Sequence, residues 1–136
     1  MKAIIQLLSM ITVSATFAFS QTSSILDHSV QWTSAENINL YTNTPVSENF
    51  TITSSANSIT IAAAGTVKTF SINNVQGTWT KLESIGLLAC NVSIGDKNGV
   101  IILERTSGQI SIRVDFSSYP NAMKRKFVIS HYKQQD

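Results

Sequence analysis

The chain has 136 residues, a net charge of +2 and one cysteine. That length suits one domain and leaves too little chain for two comfortable cores. The lone Cys90 excludes an intramolecular disulfide, so stability has to come from the core itself.

Met1-Lys2 gives a short positive start and residues 4–19 are mostly apolar. Ala18-Phe19-Ser20 then places small residues at the two positions a signal peptidase reads. Residues 1–20 are therefore expected to be an export signal cleaved after Ser20, and residues 21–136 a single all-β domain, secreted or periplasmic. Gln6, Ser9, Thr12, Ser14 and Thr16 interrupt the apolar run, which sets it apart from a spanning helix of about 20 strongly apolar residues. Leu87-Leu88-Ala89-Cys90 spells a lipid-attachment motif but stands far beyond the signal with no basic start before it. Later apolar runs are strand-sized, so the mature chain is not expected to span a membrane.

From there on, apolar and polar residues alternate over short runs broken by turn residues, the period-two pattern of half-buried strands. Strands are expected over 29–33, 37–42, 49–53, 58–63, 67–73, 78–83, 87–94, 100–105, 109–116 and 126–131. Ala64-Gly65 and Ser107-Gly108 read as tight reversals. Asp96-Lys97-Asn98-Gly99 reads as a type I turn with a glycine bulge, or as a two-residue turn centred on Asn98-Gly99. A turn at Ser107-Gly108 would pair Leu103 with Ile112 and Ile101 with Val114, sending Ile110, Ile112, Val114 and Phe116 to one core face. Most links are too short for anything but antiparallel hairpins. The fold class is thus an all-β, antiparallel up-and-down meander of about eight to ten short strands, closed or partly closed into a barrel. A two-sheet β-sandwich is the alternative that the same alternation allows. The longer irregular stretches 43–48, with Pro45, and 117–125, with Tyr119-Pro120-Asn121, are best placed to form a rim over a pocket.

Catalytic chemistry is thinly supplied. His28 and His131 are the only histidines, near opposite ends of the mature chain, and would meet only if the terminal strands are neighbours. A metal would need a third ligand such as Asp27 or Asp115, and no close-spaced ligand motif exists. The glycines are scattered singly and form no phosphate-cradling loop. Cys90 shares its strand face with Leu88 and Val92 and reads as a buried apolar residue. Asn49-Phe50-Thr51 and Asn91-Val92-Ser93 match the N-glycosylation pattern, which matters only in a eukaryotic source. No cofactor or metal site is expected.

All the cations after the signal lie from Lys68 onward, and Lys124-Arg125-Lys126 is the one dense cluster. It is expected to stand in water at a loop–strand junction and to offer an anionic partner its first contact. Gly77-Thr78-Trp79 resembles the Gly-x-Trp element in the first strand of lipocalins, secreted barrels that bind small apolar molecules. Here the element stands mid-chain, and it carries over no ligand-binding residue. Trp32 and Trp79 read as large core or rim side chains.

These features point to an exported, non-catalytic binding or interaction module. Its partner would be a small apolar ligand in a barrel, another exported protein or an anionic surface, with no specific nucleic acid. The alternative is a secreted inhibitor or assembly partner presenting a loop or sheet edge. A small enzyme with a site around His28, His131 and Asp115 stands behind both.

Overall fold

Thr, Val, Ile and aromatic residues at alternate positions make pleated ribbons with one apolar face, and that face has to be buried against another. A computed structural model, which describes residues 23–116 and 124–135, closes eight antiparallel strands into a barrel in sequence order, with the last pairing to the first. The strands are β1 Val30–Asn39, β2 Thr44–Ser54, β3 Ser58–Ala63, β4 Thr66–Thr78, β5 Gly86–Ile94, β6 Lys97–Arg105, β7 Ile110–Asp115 and β8 Lys124–Gln134. Closure removes the free sheet edges that a sandwich would leave. The expected export signal, its cleavage after Ser20 and the Tyr119-Pro120-Asn121 turn lie outside the described residues. Among the described residues no helix is long and apolar enough to cross a membrane.

The Ser107-Gly108 hairpin has the register its sequence implies. Leu103 pairs with Ile112 and Ile101 with Val114, and Thr106 N–H donates to Gln109 O at 2.9 Å. Ile110, Ile112, Val114 and Phe116 are all buried on one face.

Four expected features are corrected. Residues 30–33 and 37–39 of the two expected runs belong to one strand, β1, whose register shifts on both neighbours at an irregularity between Ser34 and Glu36, and residues 40–42 lie in the turn to β2. There the Ser34 hydroxyl donates to Glu36 O at 2.8 Å. Residues 43–48 are not a loop: all but Asn43 belong to β2, where Pro45 pairs with Ile38. β3 begins its pairing with β2 only at Thr51, so Pro45 sits in an edge-like stretch that tolerates a missing N–H. Residues 79–83 connect β4 to β5. Trp79 turns into the barrel there, its indole N–H donating to Lys81 O at 2.8 Å, and Arg105 Nη1 ties the loop by donating to Leu82 O at 3.0 Å. Finally, the β5–β6 turn is Gly95-Asp96, with Ile94 paired to Lys97. Gly95 has φ +60°, and glycine at the first central position suits a type II′ reversal.

The two ends of the barrel are treated differently. At the lower end, where β1 begins, a 3₁₀ turn over Ile25–Asp27 acts as a plug, held by a capping box between Ser24 and Asp27. Ile25 and Leu26 are buried, and Ile25 N–H donates to Trp79 O at 2.9 Å. Above the plug, Trp32 packs against Trp79 and Tyr132 with ring centroids 5.7 and 5.8 Å away. The Trp32 indole N–H is satisfied by Ser54 Oγ at 2.9 Å, so both wide rings are buried without an orphaned donor. Cys90 is buried between Leu88 and Val92 on one face, and burial pushes its thiol pKa up to about 11. At the upper end Phe116 is buried against Phe70, centroids 5.4 Å apart, and fills only the side near β6.

Candidate functional site

The other side of the upper end is open. A cavity of about 300 Å³ lies between β2, β3 and β4 on one wall and β7 and β8 on the other. Its apolar lining includes Phe50, Ile61, Phe70, Val114 and Phe127. These residues face inward for one reason, strand alternation: Ile52 and Ser54 are buried, so Phe50 and Glu48 share their face, and Phe70 is buried, so Lys68 shares its own. Phe50 and Phe127 meet edge to face at 4.9 Å, which stiffens the apolar surface.

Three charged residues line the same cavity: Glu48 from β2, Lys68 from β4 and Arg125 from β8. The Lys124-Arg125-Lys126 triplet therefore does not make one outward patch, as its density suggests. Alternation divides it. Phe127 is buried, so Arg125 turns inward opposite Val114 while Lys124 and Lys126 take the other face. Lys124 Nζ lies 5.3 Å from the Tyr41 ring centroid, within cation–π range, and Lys126 stands across from Arg113.

Arg125 is half-buried and fixed from behind: its Nη1 donates to Asn37 Oδ1 at 2.7 Å. Asn37 is fully buried, and its Nδ2 is the one buried side-chain polar atom without a partner among the described residues. A guanidinium carries five N–H donors; the Asn37 bond is the one it makes among the described residues.

The residues proposed for an enzyme are not brought together. Asp115 pairs with Lys124 at the upper end, whereas His131 pairs with Thr33, which puts them roughly 20 Å apart along β8. His28 precedes Ser29, whose carbonyl accepts from Gln135 N–H at 2.8 Å, so it lies beyond His131 at the lower end. Among the described residues no group of three or more His, Cys, Asp or Glu side chains could hold a metal ion. A notch of about 390 Å³ beside the β6–β7 turn includes His131, Arg105 and Gln109; Tyr132 in its lining is only half-buried, and Arg105 Nη1 is taken up by Leu82 O at 3.0 Å.

Two residues of the mouth cavity, Glu48 and Arg125, come from the stretches whose length marked them as rim candidates. Asn37, Lys68 and the phenylalanines were not singled out. Their signal is parity alone: Phe127 two places after Arg125, Phe50 two after Glu48, Phe70 two after Lys68. Gly77-Thr78-Trp79 spans the end of β4 and not the first strand, so it supplies nothing to this site. Comparison of the chain with protein-family models, curated proteins and solved structures finds no match.

Proposed function

We propose that the protein is an exported, non-catalytic binding barrel that takes one small, mainly apolar ligand into its upper mouth. One observation supports this reading above the others: a cavity of about 300 Å³ at the upper mouth is lined by Phe50, Phe70 and Phe127, while the inward side chains below it, such as Trp32, Ile52, Ile59 and Leu103, are fully buried. Small-molecule sites begin at about that volume and combine an apolar lining with a few placed polar groups. A barrel serving only as a scaffold gains stability by filling such a space with one larger side chain, since buried rings without neighbours lose packing.

The sheet-edge alternative has a weaker footing. The upper part of β2, before Thr51, has no pairing with β3, but Pro45 and Glu48 sit on it, and proline and charge are the features that blunt strand addition.

The test uses the neutral fluorophore N-phenyl-1-naphthylamine on the mature protein. Saturable one-to-one binding is expected, and Ala63→Trp, which places an indole in the mouth from a half-buried cavity position, is expected to abolish it while leaving the far-ultraviolet circular dichroism unchanged. Equal binding to Ala63→Trp and to the unaltered protein refutes the reading.

A further inference from the structure

We infer that the mouth selects a small organic monoanion, a carboxylate on an aromatic or branched apolar body, with the Arg125 guanidinium as its anchor. This rests on the mouth-binding reading above and adds the chemistry of the ligand.

One cation of the triplet faces away from the solvent side of the sheet. Charge that serves solubility belongs on the outer face, where Lys124 and Lys126 stand. Arg125 instead points into an apolar bowl, where a guanidinium gives up hydration and is tolerated when something replaces the water. Asn37 replaces a small part of it. Its Oδ1 takes one Nη1–H and fixes the guanidinium plane, while its own buried Nδ2 has no acceptor. Asn37, buried on β1 and outside the cavity lining, serves one donor of the fork, so the guanidinium keeps donors to spare at the β8 wall, and a carboxylate supplies what is missing there: two oxygens spaced to accept from a planar fork.

The remaining inward charges set the valence. Lys68 and Glu48 line the same cavity with opposite signs, so together with Arg125 the three sum to one positive charge. A monoanion balances that sum. A phosphate dianion overshoots it, and Glu48 on the β2 wall repels the second charge. The rest of the ligand has to be apolar and stiff enough to lie on Phe50, Phe127 and Phe70, which favours an aromatic or branched body.

The experiment measures displacement of N-phenyl-1-naphthylamine from the mature protein by 4-phenylbutyrate and by 4-phenylbutan-1-ol, which share a skeleton and differ in charge. The carboxylate is expected to displace at a concentration about tenfold lower, as a charge-assisted bidentate contact at a half-exposed site implies. Arg125→Gln is expected to erase that difference, with the variant's own fluorophore affinity measured first and used to scale both displacement curves. Glu48→Gln, at an exposed position where folding is not at stake, is expected to widen it by about two- to fivefold. Equal displacement by acid and alcohol, or a preference that survives Arg125→Gln and ignores Glu48→Gln, overturns the anion proposal and leaves mouth binding intact. Fluorophore binding unaffected by Ala63→Trp brings down mouth binding, and the proposal with it.

Discussion

Gly99 sits in β6 opposite Val92, and an added Cβ there would come within 2.5 Å of Phe116 Cδ1 and 2.6 Å of Cε1 and Cγ. Carbon atoms rest about 3.5–4.0 Å apart, so in Gly99→Ala the ring has to retreat by about 1 Å. It is fully buried and backed by Phe70, so retreat means moving into another ring. Overpacking of this kind costs about 1–3 kcal/mol, offset by about 0.5–1 kcal/mol because alanine suits a strand better than glycine. A net loss of about 1–2 kcal/mol is expected, which for a domain of this size lowers Tm by roughly 5–15 °C. Urea unfolding followed by tryptophan fluorescence measures it. Phe116→Leu frees the space, so the double variant should be more stable than the sum of the singles by about 1 kcal/mol. A Gly99→Ala protein within about 0.5 kcal/mol of the parent, or strict additivity in the pair, refutes the packing argument.

The Cys90 thiol, whose pKa burial raises from 9.0 to about 11, should resist a bulky thiol reagent near neutral pH and react promptly once the protein is unfolded. Because the folded protein holds that proton more tightly, this contribution to stability is intact below pH 9 and falls away as pH rises through about 11; Cys90→Ala should flatten that alkaline loss, of at most about 3 kcal/mol, in denaturation midpoints. Ala64 and Gly65 both have positive φ, 42° and 84°, which makes their turn a type I′ hairpin with a strained alanine. Ala64→Asn should therefore raise stability by about 0.5–1 kcal/mol in the same urea assay, and a loss would mean that the turn is of another type.

Much of the fold was legible because alternation and short turns leave few choices. Leu103, Ile112, Ile101 and Val114 pair as a two-residue turn at Ser107-Gly108 dictates. What escaped were places where a local residue signal competes with the sheet. Asp96-Lys97-Asn98-Gly99 has the composition of a turn, but Gly99 is there to make room for Phe116, and the reversal falls on Gly95. Pro45 reads as a loop residue, yet β2 outruns β3 at that point and leaves an edge on which proline can sit. Trp79 falls within an alternating run but leaves the sheet to cover the lower end, where the plug's Ile25 bonds its carbonyl.

The candidate site was hidden by parity. Three cations in a row read as one block of charge, whereas the pairing of β8 admits one of the two faces for each, and Phe127 decides that Arg125 goes in. The partner of that arginine depends on a second shift of parity that no glycine or proline announces. Val30, Trp32 and Ser34 face inward at even positions, and without the irregularity between Ser34 and Glu36 the next inward residues would be Glu36 and Ile38. The extra residue puts Asn37 inside instead, level with Phe127 and within reach of Arg125. The same departure from regular pairing that joins the two halves of β1 thus supplies the acceptor that holds the guanidinium. Replacing Ser34, whose hydroxyl bonds Glu36 O across the irregularity, would act on the mouth through Asn37 with no side chain of the cavity touched.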